Sequence, residues 1–253
     1  FVEESAPGLC HCFTAERVRW AWATVDTRSV YLCTEPHPAL ALDPEESNVA
    51  LAPFLDLLNH TDTAQVTAEV NLKSQSYEIT TGDGFKKYDQ VFISYGAYNN
   101  TKLLINYGFV LPQNVHNTYA FTVDKLVSCM PASCGHIERK RSILGEANLQ
   151  RNLVCSVDGM SWSLSTALKI FVLPWELLFK WKLLLQGASL GDDIDTESDK
   201  VAAVMVEEAL SEANRHLHAV KGQSQVTHHT LLLRLAQDDV DILTATLAHI
   251  RSS

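Results

Sequence analysis

The hydrophobic pattern of the chain changes period near its middle, and that change restricts the fold more than any other feature. Between Leu51 and Pro112 the apolar residues fall in short runs, with clear alternation over Val66 to Leu72 and Ser76 to Thr80. A period of two sends successive side chains to opposite faces, as in half-buried strands. Further on the period becomes helical, in three amphipathic segments near 162–186, 198–221 and 227–250. Val201, Val204, Met205, Ala209, Ala213, Leu217 and Val220 mark one face of the second segment. Leu231, Leu235, Ile242, Leu247 and Ile250 mark one face of the third. Strands followed by helices predict an α+β chain with the two classes segregated.

Local signals subdivide this plan. Residues 14–32 read as a helix, with Thr14 as N-cap, Glu16 in the first turn, and a stripe of Val18, Trp22, Val25, Ser29 and Leu32. Residues 33–48 hold three prolines and four acidic residues, the composition of a surface loop. Thr81-Gly82-Asp83-Gly84 reads as the turn chemistry of a hairpin, Gln90 to Tyr95 as a further strand, and Asn100 to Asn106 as one or two helical turns. The most apolar stretch, Leu164 to Leu185, carries Lys169, Glu176, Lys180, Lys182 and a central Pro174. A membrane span tolerates that poorly, so the expectation is no membrane partner and a buried helix or kinked pair. Gly187 to Asp199, with two glycines and five acidic residues, reads as a solvated linker.

Charge and cysteine usage narrow the function classes. A net charge of −10 does not suit binding to nucleic-acid phosphates, whereas it suits a partner that presents lysines. The six cysteines, at 10, 12, 33, 129, 134 and 155, form no CxxC pair, and Cys10-His11-Cys12 has no second pair at zinc-finger spacing. No metal is expected, and the thiols read as reduced ones in a cytoplasmic or nuclear protein. Phe1-Val2-Glu3-Glu4 lacks the basic start of a secretory signal.

Three stretches place polar groups inside apolar runs, where an unpartnered one is costly. In Leu51 to His60, Asp56, Asn59 and His60 interrupt the run; a turn capped by Asn59 and His60, with Asp56 on backbone amides, would account for them equally well. Val91-Phe92-Ile93-Ser94-Tyr95-Gly96 and Leu103-Leu104-Ile105-Asn106-Tyr107-Gly108-Phe109 each end in Tyr-Gly, which is either a turn with a packed ring or a hydroxyl placed where backbone approaches a ligand. The order of these pieces carries more than each alone. Asp-x-x-Asn-His, a hairpin, Ile-x-Tyr-Gly, then Asn-x-x-x-Leu-Leu-x-x-Tyr-Gly-Phe resembles the second half of the SET methyltransferase domain. Trp20-Ala21-Trp22 to Thr27-Arg28 and the helical second half resemble, more narrowly, the Rubisco large-subunit methyltransferase group.

The resemblance implies the C-terminal part of a SET β-fold with its pseudoknot over residues 1–112, and an all-α substrate-binding domain over 113–253. It implies S-adenosyl-L-methionine as cofactor and methylation of a lysine on a protein substrate, histones among them. Tyr107 would be the catalytic hydroxyl. Arg28, Asn59, His60 and Tyr95 would hold the cofactor, while Asp56 and Tyr95 would face the lysine channel. Arg28 has a plainer account, the complementing of a helix dipole. The family's strand and Gly-x-Gly loop have no counterpart in residues 1–27, so this stretch resembles part of a longer chain or a form lacking half its cofactor site; exposed apolar surface is expected where the missing strands would pack. Two other readings stay open: a catalytically silent protein-binding module, and methylation of another side chain such as histidine. The oligomeric state is left undetermined.

Overall fold

The computed structural model describes residues 8, 12–32, 48–223 and 227–252. The chain forms two compact units: Phe1–Tyr98 with Ile105–Gly108, and Asn99–Leu104 with Phe109–Ser253.

The first unit opens with helix α1, Ala15–Arg28. Thr14 caps it as expected, its hydroxyl accepting from the Arg17 N–H at 3.2 Å. The helix stops at Arg28, short of 32, because Ser29–Leu32 is a strand, β1, paired antiparallel with β2, Asn48–Leu51. The β-branched and aromatic residues Val30 and Tyr31 favour that pairing over another helical turn. A 3-10 turn at Leu55–Leu57 leads to β3, Asn59–His60. The hairpin β4, Val66–Asn71, and β5, Ser76–Thr81, keeps the register that alternation implies, Val66 facing Thr81 and Asn71 facing Ser76. Its turn is residues 72–75, with Gln75 at a left-handed φ of 54°; Gly82-Asp83-Gly84 lies beyond the second strand. The strand expected over Gln90–Tyr95 is reduced to β6, Phe92–Ile93, parallel to β3. The surface-loop reading of 33–48 lies outside the described residues apart from Asn48, which ends in β2.

The expected exposed apolar surface is present in this unit. No residue of α1 is buried, Trp20, Trp22 and Phe54 are 70%, 77% and 84% exposed, and Tyr31, Val49, Leu51 and Leu57 are also exposed. Val18, Trp22 and Val25 of the stripe assigned to this helix are therefore exposed, while Ser29, in β1, is half-buried.

Helix α2, Asn100–Tyr107, begins in the second unit and ends in the first. The rest of the second unit is helical with one small sheet, so an all-α description does not hold for it. That sheet runs β7, Tyr119–Ala120, then β8, Val154–Ser156, then β9, Gly159–Met160, all antiparallel. The helices are α3, Val123–Ser128; α4, Ile137–Glu146; α5, Trp162–Val172; α6, Trp181–Leu185; α7, Asp192–Lys221; and α8, His229–Ser252. Pro174 divides the long apolar stretch, since its ring excludes the helical state of the preceding residue; a 3-10 segment, Trp175–Lys180, separates α5 from α6. Much of the supposed linker is helix: α7 starts at Asp192, where Asp192, Asp193 and Asp195 complement the dipole at its N-terminus. Along α7 the buried residues include Val201, Met205, Ala209, Ala213 and Leu217, while Val204 is exposed. Leu126, Ile143, Leu144, Leu164, Leu168, Phe171, Met205 and Leu243 are fully buried and form one continuous core.

Asp239 on α8 is a half-buried carboxyl in this unit. Burial, with the adjacent Asp238 adding to it, raises its pKa from 3.8 to about 6. The folded state therefore holds a proton that the unfolded state has released between about pH 4 and pH 6, and stability falls as pH rises through that window. Asp239→Asn is expected to stabilise the chain by about 1 kcal/mol at pH 7, discounted for partial exposure, and to have no effect at pH 4. Urea denaturation at the two pH values measures it; an equal effect at both excludes a titrating carboxyl as the cause.

Candidate functional site

In the first unit, local structure brings separate parts of the sequence to one small cavity. The parallel pairing of β3 with β6 sets Asn59 beside Phe92 and His60 beside Ile93. The Thr61 N–H continues it to the Ile93 carbonyl at 3.0 Å. Neighbours on a strand point to opposite faces, so His60 is buried and Asn59 exposed. His60 Nδ1 accepts from the Tyr95 N–H at 3.0 Å, and its ring stacks on Tyr95 with centroids 5.0 Å apart. The Tyr95 hydroxyl donates to the Leu58 carbonyl at 2.7 Å. His60 and Tyr95 thus fasten the Leu58–His60 segment to the Ile93–Tyr95 segment.

Gly96 makes the next step possible. Its φ of +134° is one that other residues rarely adopt, and a Cβ there would lie 3.0 Å from the Tyr98 ring. Tyr98 in turn stacks on Tyr107, at 6.4 Å between centroids, and Tyr95 lies tilted against Tyr107 at 4.6 Å. Tyr107 is the last residue of α2, and Gly108, at φ +80°, lets the chain turn away behind it.

Arg28 also lines the cavity. As the last residue of α1 it complements that helix's dipole, and its Nη1 also donates to the Asp56 carbonyl at 2.8 Å. The Asp56 carboxylate is 3.9 Å away, a loose and partly exposed ion pair. Arg28 thus complements the helix dipole and is anchored at the same time to Asp56.

The resulting cavity is about 200 Å³, lined by Arg28, Ser29, Asp56, Tyr95, Tyr98 and Tyr107 among others. Of the residues singled out in the sequence it gathers Arg28, Asp56, Tyr95 and Tyr107; Asn59 and His60 are not among its walls. Tyr31, Tyr77 and Tyr98 also line it and were not singled out, although Tyr98, two residues past Gly96, had a glycine signal of its own. The Ser29 Oγ, on the same wall, is buried without a hydrogen-bond partner.

The electrostatics keep the phenols of Tyr95 and Tyr107 neutral. Burial first, then neighbouring Tyr98, Tyr95, Tyr31 and Asp26, push the Tyr107 hydroxyl up to about 12. Tyr95 is also raised by burial, with Arg28 opposing and Asp56 adding to the shift. At neutral pH the Tyr107 hydroxyl is therefore protonated and can donate a hydrogen bond.

No family model matches the chain. It is 36% identical over 239 residues to SET domain-containing protein 4 of Mus musculus, an alignment covering 92% of this chain and 54% of the mouse protein. It is 34% identical over 245 residues to the Homo sapiens protein of that name, covering 95% of this chain and 55% of the human one. A shorter similarity, 32% over 105 residues, links 42% of the chain to 17% of the actin-histidine N-methyltransferase of Xenopus tropicalis. The chain spans about half the length of the SET domain-containing relatives from mouse and human. With that similarity extending over nearly all of its residues, the chain belongs to the SET-domain family.

Proposed function

We propose that this chain is part of an S-adenosyl-L-methionine-dependent methyltransferase that modifies a lysine side chain of a protein substrate. The observation that carries the reading is the cavity that Tyr95, Tyr98 and Tyr107 line together with Arg28 and Asp56. The cofactor supplies an activated methyl group. The residues present suit part of it: Arg28 offers a cation for a carboxylate, the unpartnered Ser29 Oγ offers a hydroxyl, and tyrosine faces attract a cationic centre. The cavity is below the roughly 300 Å³ at which pockets begin to enclose a drug-sized ligand, so it takes a part of such a molecule. His60 and Asn59 are not among the cavity's walls, and in this reading reach the cofactor only in a longer chain.

For the amine, burial away from water disfavours the ammonium and favours the neutral nucleophile. Tyr107, protonated throughout the neutral range, orients the amine lone pair, and alignment supplies most of the acceleration. The helical unit is assigned to docking the protein substrate, in the cytoplasm or nucleus.

Histidine is the second acceptor to consider, because one relative's name specifies it. The test is methyl transfer by a protein of the relatives' full length to matched peptides bearing lysine or histidine, with the modified residue located by mass spectrometry. Methyl-lysine alone is expected; methyl-histidine alone overturns the lysine assignment. Parallel calorimetric titration with the cofactor addresses the silent-module reading, which the small cavity favours for this stretch on its own: saturable binding by the longer protein is expected, and its lack of binding supports the module.

A further inference from the structure

We infer that Asn100 and Asp238 are positioning residues for Tyr107, clasping the short chain segment that carries it. This rests on the role proposed above for Tyr107. The segment leaves the second unit after Leu104 and rejoins it at Phe109, and the clasp closes its base. Asn100 is buried and pairs with Leu111 as one peptide pairs with another: its Nδ2 donates to the Leu111 carbonyl at 2.9 Å, and its Oδ1 accepts from the Leu111 N–H at 2.9 Å. The Asn100 Oδ1 also accepts from Asn114 Nδ2 at 3.1 Å, and its Nδ2 also donates to Asp238 Oδ2 at 2.7 Å. Two donors and two acceptors are the whole capacity of a carboxamide, and all are used within the second unit.

Asp238 decides which way that carboxamide points. It is buried on α8, and its Oδ2 also accepts from Asn117 Nδ2 at 2.9 Å, while Oδ1 lies 2.9 Å from Arg234 Nε. Asn117 Oδ1 in turn accepts the Asn100 backbone N–H at 2.8 Å, at the start of α2. With a carboxylate on one side, Asn100 must turn its amino group there, and its oxygen is left for the Leu111 N–H. Both ends of the segment from 100 to 111 are then fixed to one another and to α8. Tyr107 lies two turns along the same helix from Asn100, so a shift or rotation at the clasp reaches its hydroxyl through a short, stiff rod. An apolar cluster could hold this region together as well; orienting one carboxamide from a residue 138 positions away serves placement.

The experiment compares Asp238→Ala, which removes the acceptor, with Asp238→Asn, which keeps an acceptor oxygen of the same shape. In a protein of the relatives' full length, Asp238→Ala is expected to lower kcat about tenfold or more, with the cofactor Kd within about threefold; misplacement by an ångström is enough for losses of this size. Asp238→Asn should recover most of the rate. Equal loss of kcat and cofactor affinity, or a normal kcat in Asp238→Ala, overturns the inference. Deuterium exchange at the amides of Leu104 to Tyr107 supplies an arm that does not depend on chemistry. Faster exchange in Asp238→Ala supports the clasp, and unchanged exchange overturns it. Should Tyr107→Phe leave turnover intact while exchange still responds to Asp238→Ala, the role of Tyr107 is what has failed and the clasp stands. If Asp238→Ala does not fold, Asn114→Ala, which removes a donor to the Asn100 Oδ1, is measured in its place: faster exchange with a lower kcat supports the inference, and wild-type values for both overturn it.

Discussion

Replacing Tyr107 with phenylalanine is expected to lower methyl transfer by about a hundredfold or more, the scale of one positioned catalytic group, while cofactor affinity changes by less than about threefold. The ring stays, so the contacts with Tyr95 and Tyr98 stay, and only the hydroxyl is lost. Since that hydroxyl titrates at about 12, the wild-type rate should show no ionisation of Tyr107 between pH 6 and pH 9, and the variant should be slow across that whole range. Tyr95→Phe is the comparison. Its hydroxyl is engaged by the Leu58 carbonyl, so its removal loosens the segment leading to Asn59 and His60. Its effect should fall on stability and on cofactor affinity together. Steady-state kinetics with parallel titration measures all of this, and a Tyr107→Phe enzyme of near-normal turnover would falsify the catalytic assignment.

The largest expected effect on stability is at Phe171. It is fully buried, on α5, in the core built with Leu126, Ile143, Leu144, Leu168, Met205 and Leu243. Truncation to alanine removes a ring that the surrounding helices cannot wholly collapse upon, at a cost of about 3–5 kcal/mol. For a unit of this size the melting temperature should fall by roughly 10 °C. The Phe171 carbonyl accepts from the buried Lys140 ammonium at 2.7 Å and keeps doing so in the variant, because the backbone atom remains. The loss therefore measures packing alone. A melting temperature within about 2 °C of the wild type would mean that α5 is not the centre of the core.

What the sequence made legible was the part governed by near neighbours. The Thr14 cap, the β4–β5 register and the start of α2 at Asn100 are each set within a few residues, and each was found where local chemistry put it. The strands β7 to β9 are two or three residues long, too short for a period to show, and the small sheet went unread. The acidic run before Asp199 looked like solvated linker because charge was weighed and the dipole of α7 was not. Within the candidate site, Arg28, Asp56, Tyr95 and Tyr107 do share a cavity. Asn59 and His60 were treated alike because they are adjacent, yet on a strand adjacency means opposite faces. Asp238 had no visible signal at all: in an amphipathic helix an aspartate reads as part of the wet face, and its burial is explained by carboxamide partners far away in sequence together with Arg234 one turn before it.

The division of α2 between the two units bears on how such a protein can be rearranged by recombination. A junction between Tyr98 and Asn99 leaves the first unit without Ile105–Gly108, and with them Tyr107. A junction after Pro112 keeps Tyr107 in the first piece but takes Asn114, Asn117 and Asp238 away from Asn100, whose carboxamide then has two valences to fill. Neither break yields two self-sufficient modules. A gene encoding both is expected to pass them on as one cassette, exchanging whole and diverging by substitution and not by shuffling.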